Sequence, residues 1–332
     1  MNADTIVAAT SDLGVRFRFV SLLPVAVLAL YILALAWSGA PANSPSMGRV
    51  VNHARHVAGW QAFLLAVAVV VVAVIAEPLQ VTLVRLLEGY WGQSRAGRLL
   101  AAPGIAFHRA RRSRLDRAQR RSPADADPSA AAHAQAARED AARKLRAYPP
   151  ESAILPTMLG NVLRSAEGRA GSRYGLDAIV AWPRLYPLLS DKVTAVLNDL
   201  RDQLDLAARF CVAFGIATEI SDIFLAAHGW WLTAAAVTLA GALLSYRAAL
   251  AAAAAYGQAL EAAFDLHRFD LLAALHLPFP ADLIGEVTAN QELSRFLRQP
   301  SEYLYALTQA QQGLNFTYRH PAEKNDPGGG GA

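Results

Sequence analysis

The sequence predicts an all-α membrane protein, with four transmembrane helices and a cytosolic helical module built partly from extensions of those helices. The chain is 54% hydrophobic and carries only 17% charged residues, fewer than the about 25% typical of globular proteins. Four apolar stretches are each long enough to cross about 30 Å of hydrocarbon as a helix. Alanine is abundant, which favours helix, and alternating β-branched stretches between turn dipeptides are almost absent.

The four predicted spans are Phe19–Ser38, Ala58–Ala76, Ala207–Ala227 and Trp230–Ala249. A cleaved signal peptide is the alternative for the first span, because Arg16 and Arg18 precede it. The apolar region of a signal peptide is usually about 7–15 residues long, whereas this stretch has about 20. We therefore expect the first span to be retained.

The distribution of Lys and Arg predicts the orientation of the spans, since cytosolic loops are enriched in both residues. Of the 31 Lys and Arg residues, 19 lie between Glu88 and Leu206, and the turn between the last two spans has none. Arg49 and Arg55, in the loop after the first span, oppose this pattern weakly. We expect a multi-pass protein of the bacterial cytoplasmic (inner) membrane, with the central segment and both termini in the cytosol.

Six segments follow from this topology. They are a cytosolic N-terminus (1–18), a first transmembrane pair (19–90), a cytosolic helical module (91–206), a second transmembrane pair (207–255), C-terminal cytosolic helices (256–320) and a disordered tail (321–332). The module contains a basic run (95–121), a flexible linker (122–137) and a motif segment (151–190). Apolar stripes at helical spacing continue past the spans, and they must be covered, so we expect a helical bundle outside the membrane.

The motif segment is dense in Pro, Gly, Trp, Tyr and Arg. Its first half is typical of a helix bounded by a proline and by glycines. Pro183 and Pro187 exclude a normal straight helix in its second half. We expect this segment to cap the bundle, with a kinked stretch anchored at the bilayer interface by Trp182 and Tyr186.

Four short motifs are distinctive: "GYWG" at Gly89–Gly92, "LPTMLGNVLRSAE" at Leu155–Glu167, "RYGLD" at Arg173–Asp177 and "WPRL" at Trp182–Leu185. They resemble a set of uncharacterised bacterial integral membrane proteins, over about residues Leu79–Leu297. The resemblance implies a membrane location and a cytosolic module. It carries over no activity and no catalytic residues.

Two acidic residues, Glu219 and Asp222, lie inside the third span and on one helix face. Each carboxylate costs roughly 2.5–3.5 kcal/mol at mid-membrane, so it must face protein or water. One interpretation is a protonatable or cation-binding pair. The other is a polar contact between helices near the outer interface, with Glu219 close to Thr238. Glu77, at the inner end of the second span, marks either a boundary with a proline kink or part of an ion path.

The basic run follows the second span directly, which makes anionic lipid headgroups its expected partner. The expected headgroup contacts are Arg109, Arg111, Arg112 and Arg114. These arginines point nearly all round a helix, so no single side faces lipid. Only Trp91 and Phe107 interleave with the arginines, which is poor for base stacking, and nucleic acid is not an expected partner.

The polar residues of the motif segment are the predicted interaction or structural residues: Asn161, Arg164, Glu167, Arg173, Tyr174, Asp177, Trp182 and Arg184. They either line a polar pocket or form ion pairs and hydrogen bonds that hold the cap in one shape. No His or Cys lies among them, and phosphate loops, nucleophile elbows and zinc-protease helices are missing from the sequence. We expect no catalytic residue, metal or cofactor, and we expect Cys211, the only cysteine, to be a buried small hydrophobe.

The expected function is that of a non-enzymatic membrane scaffold or interaction protein. Its cytosolic module would bind a protein partner or a second copy of the chain. The alternative is an oligomeric ion-coupled or proton-coupled transporter, or a channel subunit, that uses the intramembrane acids. A membrane enzyme comes third, and it requires a polar pocket near Arg164 and Arg173.

Overall fold

A computed structural model of the chain describes residues 22–92, 94–120 and 128–298, apart from the side chains of 76–81 and 128–130. All the regular structure in these ranges is helical, and none of the described residues forms a strand. This confirms the predicted all-α class. The predicted N-terminus (1–18), part of the linker (122–127), the end of the C-terminal helices (299–320) and the tail (321–332) lie outside the described residues.

Ten α-helices are described. They are α1 (Leu22–Trp37), α2 (Met47–Arg55), α3 (Gly59–Glu88), α4 (Arg95–Arg120), α5 (Pro128–Leu145), α6 (Met158–Arg169), α7 (Ala178–Leu185), α8 (Asp191–Leu225), α9 (Thr233–Ala274) and α10 (Leu283–Arg298). Single 3₁₀ turns connect several of them, at Glu151–Ala153, Ser172–Tyr174, Tyr186–Leu188 and Gly229–Leu232.

The chain divides into two compact units. The first contains Met1–Val162 and Asp199–Ala255, and the second contains Leu163–Asn198 and Tyr256–Ala332. The boundaries predicted at 91 and 206 do not coincide with this division. The basic run groups with the predicted spans, whereas residues 163–198 group with the C-terminal helices.

In the first unit, α8 and α9 form an antiparallel pair joined by a turn at Gly229, whose φ of 53° is left-handed. The hydroxyls of Thr218 and Thr238 lie 3.0 Å apart between the two helices. A Cβ on Gly241 would lie 3.1 Å from the Phe214 ring, so a larger residue would hold the helices apart. Small residues therefore permit close packing of this pair.

The end of α1 packs against the turn of this helix pair. Leu35, Ala40 and Leu225 form a small buried cluster, and Trp231 packs against it. On α1, the Tyr31 hydroxyl lies 2.5 Å from that of Ser221. The C-terminal end of α1 and the α8–α9 turn thus lie at the same end of the unit.

One helix in the described part of the chain, Gly229–Ala274, is by itself long and apolar enough to cross a membrane. Only 17% of its apolar window is buried, which is unlike the core helix of a soluble protein. Met47–Arg55 and Gly59–Ile75 pass the same test only as a pair bent by 108°. The described α1 helix, Leu22–Trp37, is shorter than a span, and α8 carries charges within its apolar part. Phe19, where the first span was predicted to begin, lies outside the described residues.

Most of the described apolar side chains of α3 are exposed on several sides of the helix. Trp60, Phe63, Val70, Val74 and Ile75 are all exposed, and Trp60 has 64% of its surface accessible. A contiguous apolar surface of this kind requires a cover.

The α4 and α5 helices form an antiparallel hairpin. Arg138 Nε donates to the carbonyl oxygen of Gln119, and the Nδ1 of His108 lies 3.1 Å from the hydroxyl oxygen of Tyr148. The prediction of a flexible linker was wrong from Pro128 onward, because these residues begin α5. Proline is suited to the first helical position, and the alanine-rich sequence after it has high helix propensity.

The second unit has a buried core around Phe264, from α9, and Leu185, from α7. Trp182 stacks on the Phe264 ring at 6.0 Å and packs against this core. The interface anchor predicted for Trp182 is therefore a core contact instead. The short α7 continues through Pro183, whereas Pro187 lies in the 3₁₀ turn that follows, so no straight helix extends through both prolines.

Candidate functional site

The "RYGLD" motif lies against α10 in the second unit. A Cβ on Gly175 would overlap the carbonyl oxygen of Val287, and the φ of Gly175 is 80°. Both facts favour glycine at this position, because only glycine combines a left-handed backbone with so close an approach. The motif is therefore built to bring its backbone against the helix.

Four polar residues of α10, spaced by four, share one helix face and meet the motif or its neighbours. They are Glu286, Asn290, Ser294 and Arg298, which we call the α10 ladder. The Nδ2 of Asn290 donates to the carbonyl oxygen of Tyr174 at 2.9 Å, and the hydroxyl of Ser294 accepts from the Asp177 N–H at 3.0 Å. The ladder thus satisfies polar backbone groups of the motif.

At the start of the ladder, Glu286 accepts a hydrogen bond from Arg268 Nε at 2.7 Å. Both side chains are largely buried, with 7% and 20% of their surface accessible. The Arg268 guanidinium also lies over the Tyr174 ring, 4.1 Å from its centroid. Arg268 thereby links the ladder to the motif through an ion pair and a cation–π contact.

At the other end of the ladder, Asp177 pairs with Arg298. Asp177 is also the N-cap of α7, since its Oδ1 accepts from the Ile179 N–H at 3.0 Å. A capping carboxylate is favoured at a helix N-terminus. One side chain therefore begins α7 and holds α10.

A groove of about 730 Å³ lies at this end of the ladder. Its lining includes guanidinium, carboxylate, amide and hydroxyl groups, from Glu167, Ser172, Asp177, Gln291, Arg295 and Arg298. Gln291 and Arg295 are exposed and supply the α10 side of the groove. We call this feature the motif groove.

Four other predicted residues of the second unit are placed as follows. Glu167 lines the groove and pairs with Arg164 at 3.4 Å. Arg173 is exposed outside the groove lining. Arg184 donates to the Val180 carbonyl of its own helix at 2.8 Å. The structure thus brings Glu167 and Asp177 to one groove but not Arg173 or Arg184.

Asn161 lies in the first unit and is fully buried. Its Nδ2 donates to the carbonyl oxygens of Leu155 and Thr157 at 2.9 and 2.7 Å, and its Oδ1 accepts from the Leu155 N–H at 2.9 Å. Its amide group therefore folds the residues before α6 onto the start of that helix. Asn161 therefore holds the local backbone in one shape. This was one of the two interpretations of the polar residues of the motif segment.

The "LPTMLGN" stretch is also packed against "GYWG" in the first unit. A Cβ on Gly160 would overlap the Glu88 carbonyl oxygen, and a Cβ on Gly89 would lie 2.6 Å from Pro156. A Cβ on Gly104 of α4 would lie 2.5 Å from the Pro156 carbonyl oxygen. Gly89 and Gly104 therefore admit Pro156, and Gly160 admits the end of α3.

The two acids predicted to lie within the third span do not face the interior of the α8–α9 pair. Glu219 and Asp222 are both exposed on α8, whereas Thr218, the residue before Glu219, bonds Thr238. The expected proximity of Glu219 to Thr238 is thus replaced by a contact between two threonines. Glu77 lies within α3, but its side chain is outside the described residues.

The predicted headgroup arginines lie on α4 in different surroundings. Arg109, Arg111 and Arg114 are exposed, but Arg112 is half-buried and donates from Nε to the Pro149 carbonyl oxygen at 3.1 Å. Near it, burial and the charge of Arg111 lower the pKa of the buried His108. Arg112 therefore helps to hold the α4–α5 hairpin.

Sequence reasoning missed the α10 ladder, Arg268 and the Arg169–Glu261 ion pair, whose Nε and Oε1 lie 2.8 Å apart. The ladder has a signal in the sequence, because its four polar residues recur every fourth position in an otherwise amphipathic helix. The ion pair has none, since its members are separated by 92 positions.

Among the described residues, no three His, Cys, Asp or Glu side chains are placed to hold a metal ion. The motif groove supplies charged and hydrogen-bonding groups but, in its described lining, no imidazole or thiol. Comparison with protein-family models, curated proteins and solved structures finds no match for this chain.

Proposed function

We propose that this protein is a multi-pass scaffold of the bacterial inner membrane that docks a protein partner in the motif groove. The observation that carries the proposal is the groove itself, which has both charge signs on its rim and is held by the α10 ladder. A rigid, mixed-charge surface suits a polypeptide segment that carries both charges.

The exposed apolar side chains of α3 and the largely unburied helix Gly229–Ala274 support the membrane part of the proposal. Four of the six tryptophans also lie at helix ends or turns predicted to be on the outer side: Trp37, Trp60, Trp230 and Trp231. Tryptophan is enriched at membrane–water interfaces. These observations favour the four predicted spans, with α1, α3, α8 and α9 crossing the bilayer.

The length of α9 supports a part that extends beyond the membrane. Its 42 residues correspond to about 63 Å of helix. A bilayer needs only about 30 Å for its hydrocarbon. The remainder of α9 includes Phe264, a core residue of the second unit, and the predicted topology assigns these residues to the cytosol.

Site-specific crosslinking tests the docking proposal in intact membranes. A photo-crosslinking residue at Gln291, in the groove, should give one discrete adduct, and Arg295→Glu should abolish it. The same crosslinker at Arg184, exposed but outside the groove lining, is the matched control. The mass of the adduct distinguishes a second copy of the chain from another protein.

Absence of an adduct at Gln291, or an adduct that survives Arg295→Glu, would contradict docking in this groove. Point variants are used because replacing the whole segment 155–189 would also remove the buried core residues Leu176 and Leu185. Loss of such residues costs several kcal/mol and would unfold the unit.

A second candidate function is favoured by the exposure of Glu219 and Asp222 beside the exposed Ile216 and Ile223. If α8 spans the membrane, these carboxylates require a polar cover, which an oligomeric channel or transporter would supply. The double variant Glu219→Gln/Asp222→Asn should then abolish proton or cation flux into liposomes. Glu139→Gln, on α5, is the control, and unchanged flux in the double variant would exclude this candidate.

A further inference from the structure

A second groove, of about 650 Å³, lies in the first unit, next to the "GYWG" turn. Its floor is one face of α4, where arginine stands at positions 98 and 109 and small or apolar residues stand between them. Those residues are Ala101, Ala102, Ile105 and Ala106. Tyr90 and Trp91 form one side of the groove, and Leu155 and Pro156 form another.

The two arginines leave the groove positively charged. Arg98 and Arg109 are exposed, and within the described part of the chain neither has a hydrogen-bond or ion-pair partner. Asp116, the one acidic residue of α4, pairs with Arg120 at 3.0 Å. The groove therefore combines an apolar floor with cationic ends that no described acidic residue neutralises.

The position of the groove follows from contacts within the first unit. Tyr246 is sixteen residues after Trp230, or about 24 Å along the helix. Its hydroxyl oxygen accepts a hydrogen bond from the Leu159 N–H at 3.2 Å. If Trp230 marks the outer interface, this contact lies within several ångströms of the inner edge of an about 30 Å hydrocarbon layer. Leu155 and Pro156, which line the groove, lie a few residues before Leu159 in the sequence. The groove therefore lies near the same depth.

We propose that this groove binds an acidic phospholipid of the cytosolic leaflet. The headgroup phosphate pairs with Arg98 or Arg109, and an acyl chain lies along the alanine-rich floor between them. Aromatic side chains such as Tyr90 and Trp91 are suited to the same interfacial depth. The inference rests on the membrane location in the proposed function. The basic run was expected to attract anionic headgroups in general, whereas this groove is a defined binding site for one lipid.

Native mass spectrometry of the full chain, purified in detergent and incubated with phosphatidylglycerol, tests the site. The variant Arg98→Gln/Arg109→Gln should bind this lipid at least about tenfold more weakly, because the phosphate loses its charged hydrogen bonds. Arg117→Gln/Arg120→Gln removes the same charge from exposed positions of the same helix and should change binding less than about twofold.

Filling the floor is an independent test, because it leaves the charge unchanged. Ala102→Phe should reduce phosphatidylglycerol retention to a similar extent, and phosphatidylcholine should bind weakly to every variant. Inorganic phosphate should not displace the lipid, because it has no acyl chain for the floor. Equal loss in both arginine pairs, full retention in Ala102→Phe, or displacement by phosphate would each overturn the proposal.

Failure of this site is distinguishable from failure of the proposed function. A chain that stays in membranes after carbonate extraction but retains no phosphatidylglycerol would lack only the lipid site. A chain that carbonate releases would lack the membrane setting itself. The crosslink at Gln291 is read separately, so partner docking is tested whichever result the lipid experiment gives.

Discussion

A side chain on Gly160 would overlap the carbonyl oxygen of Glu88, so the start of α6 lies directly against the end of α3. The contact joins two residues that lie 72 positions apart in the sequence, one directly before "GYWG" and the other within "LPTMLGN". Backbone atoms cannot move aside as the end of a flexible side chain can. The close approach of these two elements therefore depends on glycine at position 160.

We predict that Gly160→Ala destabilises the protein by about 1–3 kcal/mol, which is the usual cost of overpacking. Gly168, in the same helix, has no atom near its missing side chain. Gly168→Ala should therefore be neutral or stabilising by up to about 1 kcal/mol, because alanine favours helix over glycine. Thermal unfolding of the full chain in detergent measures both changes. Equal effects of the two substitutions would mean that the contact with Glu88 contributes nothing.

The α10 ladder leads to a second prediction. Asn290 is fully buried, and its Nδ2 bonds the Tyr174 carbonyl oxygen. Asn290→Ala leaves that part-buried carbonyl without its donor, which should cost about 1–3 kcal/mol. Gln291→Ala, next in sequence but exposed, should change the free energy of unfolding by less than about 0.5 kcal/mol. Chemical unfolding in detergent measures both variants, and a similar stability for the two would contradict the role of the ladder.

Local patterns in the sequence predicted much of the helical structure, because propensity and proline placement are local properties. The α6 helix, the interruption after α7 and the all-α class all follow from them. The linker prediction was wrong for Pro128–Ala137 because it extended the polar, proline-containing character of residues 122–127 over an alanine-rich stretch. That stretch has high helix propensity and forms α5.

The candidate site was less predictable, because its partners are distant in sequence. Asp177 was expected in an interaction segment, but its contacts Ser294 and Arg298 are more than 100 positions away. The pairing of Thr218, rather than Glu219, with Thr238 depends on the rotation of α8. A one-residue difference in register on a helix turns a side chain by about 100°, and the hairpin alone does not determine it.

The proposed topology makes a third prediction. In a Cys211→Ala background, Ala227→Cys places a thiol in the exposed turn between α8 and α9. A membrane-impermeant maleimide should label it in intact spheroplasts, because this turn is predicted to lie outside. Ser113→Cys, exposed on α4, should be labelled only after the membrane is opened. Labelling of Ser113→Cys in sealed spheroplasts would reverse the proposed orientation.

The α4–α5 hairpin should lose stability as the pH falls. Burial lowers the pKa of His108 below its ordinary 6.5, so the folded hairpin resists protonation that the unfolded chain accepts. The unfolded state then binds more protons below pH 6.5, and stability decreases from there down to the folded pKa. His108→Gln should remove this part of the pH dependence, with His133→Gln, exposed on α5, as the control. Hydrogen exchange of α4 amides in the full chain, compared between parent and variant across this range, measures the effect. An identical acid response in the two chains would show that His108 does not contribute to it.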